Sequence, residues 1–300
     1  MKKQLKWIYS QLPFKKELFK VVKKLWSPPP SIYRHLHFKD VFNAQVSPSE
    51  NFKIRHYGFE VENEIFWKGL NGGWEKTSID LWVKLSRQSS VVLDIGANTG
   101  VYSLIAKTVN PKAKVFAFEP VERVYNKLVD NCKLNEYDIT CYMQAVSNYS
   151  GTAVIYDTCE EHIYSVTVNK NIHSTSTHVK QAEISVVSLK KFIEENTLHQ
   201  IDLIKIDVET HEPEVLEGFS DYLAQFKPTI LIEILSNEVG AKVDELLHGL
   251  DYLYFYIDDH KGLQQTSQIT RRECYNYLIC TEQVAQKLNL IDERNYSSRR

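Results

Sequence analysis

The stretch that most constrains this chain runs from Val91 to Gly100: the apolar run Val91-Val92-Leu93-Asp94-Ile95, followed by Gly96-Ala97-Asn98-Thr99-Gly100. A short apolar run with no polar face predicts a strand buried on both sides, as in a parallel sheet covered by helices. Glycines at 96 and 100 allow a sharp turn and let a ligand approach the backbone. Their spacing is G-x-x-x-G, not the G-x-G-x-x-G of dinucleotide binders, which disfavours a nicotinamide-linked dehydrogenase. Asp94 stands where it can accept a hydrogen bond from, and offset the charge of, a cationic amino-acid ligand. A glycine-rich turn that only caps a helix is the plainer alternative.

Downstream the pattern alternates strand and helix. Strands are predicted at 114–119, 140–146, 201–206, 229–235, 252–257 and 275–280, and helices at 99–109, 121–135, 212–224 and 238–248. With the strand at Val91 this makes an α/β domain: a mostly parallel, seven-stranded sheet with helices on both faces, over residues 91–290. Residues 147–187 interrupt it. Gly151–Tyr156 and Glu183–Val187 look like hairpin strands around the polar stretch Asn169–His178, a candidate lid. Residues 291–300 form a polar tail.

Upstream, residues 31–90 are expected to form an accessory region. Short strands are predicted at 52–55 and 59–61 around a turn at Gly58, and a helix from Trp74 to Arg87. Residues 1–30 are basic: eight lysines face the single acid Glu17, and Phe14, Leu18, Val22 and Leu25 recur at helical spacing. Such an amphipathic helix either packs its apolar stripe on the rest of the protein or, through residues 1–26, docks on an anionic membrane surface or a partner. Pro28-Pro29-Pro30 closes it as a stiff spacer.

Composition removes several classes. The net charge of −2 over 300 residues does not suit a polyanion-binding surface, so no nucleic-acid partner is expected. The five cysteines, without a C-x-x-C pair, speak against a zinc site or a disulfide framework and suit a reducing, cytoplasmic setting. No apolar run approaches the roughly 20 residues of a membrane span, and no signal-peptide pattern opens the chain.

Two further clusters carry chemistry. Glu119 ends the second predicted strand, 19 residues after Gly100, where an acid can clasp both ribose hydroxyls of an adenosine; an acid starting a helix is the alternative. Lys205-Ile206-Asp207-Val208-Glu209-Thr210-His211-Glu212 ends the fourth, at the ligand-binding edge of an open α/β sheet. On an extended chain Asp207, Glu209 and His211 would share one face, a spacing that also suits a divalent metal, although none is predicted. Glu233 is a charge within a buried strand and needs a partner.

In this order, DIGANTGVYS (94–103), FEP (118–120), AVSNYSG (145–151), LIKIDVETHEPEVLEG (203–218) and PTILIEI (228–234) resemble the FkbM family of class I methyltransferases, over about residues 52–280. Members often carry glycine where this chain has Thr210. The resemblance implies a Rossmann-like fold and S-adenosyl-L-methionine as cofactor. Asp94, Gly96, Asn98 and Gly100 would line its methionine half, Glu119 its ribose, and Ala145 and Val146, at the third strand's end, its adenine. Asp207 would face the reacting centre. It also implies O-methylation of a sugar, glycan or natural-product hydroxyl. The chemistry of such a transfer then makes His211, Asp207 or Glu209 the expected acceptor of the hydroxyl proton, with Lys205 orienting a carboxylate or steadying an alkoxide. The absence of an Asn-Pro-Pro or Asp-Pro-Pro turn after the fourth strand disfavours methylation of nucleic-acid amines. The rival of another class is a non-catalytic adenosyl-ligand-binding protein recruited by the basic helix, peripherally at the inner face of a membrane or to a complex.

Overall fold

A computed structural model describes residues 14–58, 60–73, 75–157 and 180–291, so the candidate lid, residues 1–13 and nearly all of the C-terminal tail lie outside the described residues. The chain divides into two compact units, with the boundary between Lys76 and Thr77.

The first unit contains helix α1 (Lys15–Leu25), one turn of helix α2 (Pro30–Tyr33), strands β1 (Asp40–Ser47) and β2 (Glu50–His56), and helix α3 (Glu60–Lys68). β1 and β2 form an antiparallel hairpin in which Phe42, Ala44, Val46, Phe52, Ile54 and His56 turn inward. The hairpin partner of residues 52–55 is therefore upstream. Glu60 and Val61, expected in a strand, begin α3 instead, because Glu60 and Glu62 suit the positive end of a helix while Ile65, Phe66 and Trp67 bury themselves one turn on. The overlooked signal is the alternation Phe42-x-Ala44-x-Val46.

His56 sits within this aromatic core. Its ring centroid is 4.4 Å from that of Phe38, Nε2 lies 3.1 Å from Asn63 Oδ1, and Nδ1 accepts the Gly58 N–H at 3.0 Å. Burial disfavours the imidazolium and pushes the pKa down to about 4.

The second unit opens with α4 (Lys76–Ser86), and then β3 (Val91–Ile95), α5 (Val101–Val109), β4 (Lys114–Phe118), α6 (Glu122–Leu134), β5 (Ile139–Tyr142), β6 (Gln144–Ser147), β7 (Gly151–Asp157), β8 (Lys180–Ser188) and α7 (Leu189–Glu195). It continues with β9 (Leu203–Ile206), α8 (Glu212–Glu217), α9 (Asp221–Phe226), β10 (Thr229–Glu233), α10 (Asn237–Leu247), β11 (Tyr252–Asp258), β12 (Gly262–Thr266), β13 (Asn276–Thr281) and α11 (Glu282–Lys287). The main sheet runs β12-β11-β13-β10-β9-β3-β4-β5. Neighbours from β10 to β5 pair in parallel, and β13 lies antiparallel between β10 and β11. This is the mostly parallel, Rossmann-like sheet expected from the sequence, with an eighth strand added at one edge. β12 escapes prediction because Gln264, Gln265 and Thr266 give a polar edge strand no hydrophobic signal. α7–α10 cover one face of the sheet; α5 packs on β3 and β4.

Two more expectations need correction. The third strand divides at Met143. β5 continues the main sheet, whereas β6 leaves it to pair with β8 in a separate sheet ordered β6-β8-β7, so Ala145 and Val146 belong to that second sheet. The helix expected over 212–224 breaks at Gly218, whose added Cβ would lie 2.0 Å from the Ser147 carbonyl oxygen. Among the described residues, no helix is long and apolar enough to cross a membrane.

Because His56 binds its proton less well in the fold than the ordinary 6.5 of an open chain, the unfolded state holds the extra proton between pH 6.5 and about 4. Its stabilising effect is complete above pH 6.5 and is lost as the pH falls toward 4, by an amount on the order of 3 kcal/mol. NMR titration should leave the His56 ring neutral down to about pH 4. A midpoint near 6.5 would contradict its burial.

Candidate functional site

The topological switch of the sheet lies between β3 and β9: the chain goes from β3 outward to β4 and β5, and from β9 outward the other way to β10. Ligands of open α/β sheets bind beyond the strand carboxyl ends at such a point. The three motifs meet there.

The glycine turn after β3 is tied to the end of β4. Gly96 N–H and Ala97 N–H both donate to the Phe118 carbonyl, at 3.0 and 2.9 Å, and Gly96, Asn98 and Gly100 all have positive φ. What demands glycine at 96 is a protein contact: a Cβ there would lie 1.9 Å from the Asp207 carbonyl oxygen. At 100 it would meet a Leu128 methyl at 2.6 Å. The turn is thus packed between β9 and α6, a tighter constraint than ligand approach alone.

Asp94 is buried. Its Oδ2 accepts the Ser103 N–H at 2.9 Å and the Ser103 hydroxyl at 2.6 Å, which anchors the start of α5. Burial pushes its pKa up to about 6 against the pull of those hydrogen bonds and of Lys205. Glu119, also buried, accepts Asn98 N–H on Oε2 at 3.1 Å and Val121 N–H on Oε1 at 3.0 Å, and desolvation pushes it up to about 7. Those two bonds occupy about half of a carboxylate's four lone-pair sites. Glu119 thus ties the turn at Asn98 to the entry of α6 and keeps acceptor capacity on its carboxylate. Ala145 packs with Val121, Val124 and the hairpin strands, and Val146 with the main core.

Lys205 lies beside Asp94 in the β3–β9 register and is 1% exposed. Its Nζ is 3.1 Å from Asp207 Oδ2 and 5.2 Å from the centroid of the Tyr102 ring. A buried cation thus stands between two motif carboxylates. Asp207 also comes within 4.8 Å of Glu233, the half-buried acid at the end of β10.

Beyond Asp207 the chain is not extended. Glu209 and Thr210 adopt φ of 54° and 76°, so Asp207, Glu209 and His211 do not share a face as expected. The organiser of this turn is Glu212, a buried side chain that carried no role in the sequence. Its Oε1 accepts Val208 N–H and Thr210 N–H, each at 3.3 Å, and desolvation pushes its pKa up to about 7. A capping acid two residues beyond a threonine had no distinctive sequence signal. His211 turns aside. Its Nε2 lies 2.9 Å from the Ser147 hydroxyl and its Nδ1 3.5 Å from Glu214 Oε2. Acid, imidazole and hydroxyl stand in the order of a nucleophile triad, but Ser147 is 1% exposed and no incoming carbonyl can reach it.

A β-branched residue at φ of 76° is strained by about 1–3 kcal/mol. Thr210→Gly should relieve it and, after the larger chain entropy of glycine, raise stability by about 1 kcal/mol in urea unfolding. A lower midpoint would show that the threonine side chain matters more than the backbone.

Residues 94–256, just over half of the chain, match the methyltransferase FkbM domain model. Hexuronic acid methyltransferase AglP of Haloferax volcanii is 28% identical over 190 residues, covering 63% of this chain and 74% of that one. 31-O-demethyl-FK506 methyltransferase FkbM of Streptomyces tacrolimicus is 29% identical over 162 residues, covering 45% and 61%. Methyltransferase sdnD of Sordaria araneosa is 27% identical over 168 residues, covering 47% and 65%. The solved FkbM methyltransferase of Methylobacillus flagellatus aligns at 14% identity and a TM-score of 0.41, over 64% of this chain and 43% of that one. The chain thus spans less than half of that solved protein, and about two thirds of the Streptomyces and Sordaria relatives. The domain match runs from Asp94 through Asp207 and Glu233, and by it this chain belongs to the FkbM methyltransferase family.

Proposed function

We propose that this protein moves the methyl group of S-adenosyl-L-methionine to a hydroxyl of a sugar, glycan or natural-product acceptor. The observation that carries the reading is the convergence, at one switch point, of a left-handed glycine turn, the Glu119 carboxyl and the Asp94–Lys205–Asp207 array. The names of the Haloferax and Streptomyces relatives, one acting on a hexuronic acid and the other on a 31-O-demethyl compound, support the acceptor class.

These residues suit the cofactor. Glu119 retains lone pairs for two ribose hydroxyls. Asp94, with Gly96, Asn98 and Gly100 around it, offers negative charge to the cationic methionine half, and Ala145 and Val146 of β6 would bound the adenine. S-adenosyl-L-methionine supplies a methyl already activated on a sulfonium, so the protein has chiefly to align the acceptor oxygen. A hydroxyl acceptor must also lose a proton. His211 is one candidate for that base, because Glu214 stands behind Nδ1 to support the charged ring, while its Nε2 is engaged by the buried Ser147 hydroxyl. Asp207, which Lys205 holds in place, would face the reacting centre, and Glu209 on the left-handed turn is the remaining candidate.

Transfer of labelled methyl to uronic-acid-containing glycans and polyketide alcohols, read by mass spectrometry, tests the activity. His211→Gln should lower turnover at saturating cofactor by about 10²–10⁴-fold. Asp207→Asn and Glu209→Gln would lose comparable activity only if they hold the base. Full turnover in all three, and in Lys205→Met, would sink the role of this cluster. Cofactor binding without transfer to any acceptor would leave a binding protein.

The raised carboxyls give a second readout. Asp94 and Glu119 are partly protonated near pH 6–7 in the free protein, and an ammonium or ribose donor favours their ionised forms. Affinity for S-adenosylhomocysteine should therefore rise from about pH 5.5 to 7.5, with proton release in calorimetry. Flat affinity over that range would contradict contact with either acid.

A further inference from the structure

Helix α1 is held on one side and bare on another. Phe19 is buried, with its ring centroid 5.5 Å from that of Trp67 and 6.3 Å from that of Phe38. Lys23 Nζ donates to the Phe66 carbonyl, and Lys16 Nζ is 2.8 Å from Asp40 Oδ2. These contacts fix the rotation of the helix about its axis.

Phe14, immediately before the helix, and Leu18, Val21 and Leu25 within it are spaced four, three and four apart and fall in an arc about 60° wide at 100° per residue. A helix normally buries such a stripe. Here these four residues and the following Trp26 are between 49% and 83% exposed. The buried face of the helix is instead the narrow one centred on Phe19, and Val22 is only partly covered.

The charge around the stripe is one-sided. On α1 five lysines outnumber the single acid Glu17, in a chain whose net charge is −2; Lys16 is paired with Asp40, Lys23 with the Phe66 carbonyl and Lys20 with Glu17 at 3.0 Å. On the helical wheel Glu17, Lys24 and Lys20 follow one another beyond one edge of the apolar arc, and Lys15 lies beyond the other. Exposed large apolar groups rimmed by polar ones mark a docking surface. A protein groove would answer the apolar stripe alone. Lysines at the flanks, aromatic residues at both ends of the stripe and low overall hydrophobicity fit an interfacial helix on an anionic bilayer.

We propose that α1 docks this protein on an anionic lipid surface. The helix lies in the membrane plane, with Phe14, Leu18, Val21, Leu25 and Trp26 at the acyl boundary and Lys20 and Lys24 among the phosphates. Flotation of the full chain with vesicles of phosphatidylcholine containing about 30 mol% phosphatidylglycerol tests it against pure phosphatidylcholine. Binding should require the anionic lipid and weaken several-fold as salt rises from about 0.05 to 0.5 M. Leu18→Gln/Val21→Gln/Leu25→Gln should weaken it at least tenfold while circular dichroism and S-adenosylhomocysteine binding stay unchanged, and Lys20→Glu/Lys24→Glu should abolish the lipid selectivity. No flotation with anionic vesicles would overturn the proposal, as would equal binding to neutral ones or undiminished binding by the glutamine variant. Self-association through this stripe without vesicle binding would replace it with an interface between copies.

Discussion

The arrangement of the second unit turns on a buried lysine. Removing an ammonium from water costs several kcal/mol unless opposite charge and hydrogen bonds replace the solvent. Lys205 has that replacement: Asp94 beside it in the sheet, Asp207 at 3.1 Å and the face of Tyr102. Asp94 comes with the glycine turn and Tyr102 with α5, while Asp207 begins the loop after β9. One cation therefore joins three segments distant in sequence, and it does so at the switch point where the sheet opens to ligands. Losing either carboxylate would remove one of the two negative groups that face this cation.

Backbone contact completes what the charges begin. The Asp207 carbonyl rests on Gly96, and the Ser147 carbonyl rests on Gly218, with no room for a Cβ at either place. The loop after β9 is thus pressed against the turn after β3, and α8 against the end of β6. Within that frame Glu212 draws Val208 and Thr210 into a left-handed turn that carries His211 toward Ser147. The groups proposed for cofactor and for chemistry sit on strand ends or on turns pinned to them by these contacts, which is what alignment of an acceptor oxygen requires.

Much of this was legible in the residues themselves. Continuous runs such as Val91–Ile95 and Thr229–Glu233 announced strands buried on two faces, and the order of the motifs announced the edge at which they meet. Other features depend on partners that a local pattern cannot name. Met143 gives no sign that the strand before it stays in one sheet while the strand after it joins another. Glu60 and Val61 are compatible with strand or helix until Phe66 and Trp67 find a core. Alternation at Asp207, Glu209 and His211 suggested one face only because extended backbone was assumed, and two positive φ values remove that assumption. Gly96 was legible as a turn, yet its stricter reason, a carbonyl just past a strand more than a hundred residues later, was not.

A crystal structure with S-adenosylhomocysteine tests the central claim most directly. The account predicts the ligand beyond the ends of β3 and β4, its ribose hydroxyls donating to Glu119, its ammonium near Asp94, and Lys205 still beneath Asp207. A ligand bound elsewhere, or a crevice that stays closed at saturating concentration, would contradict it.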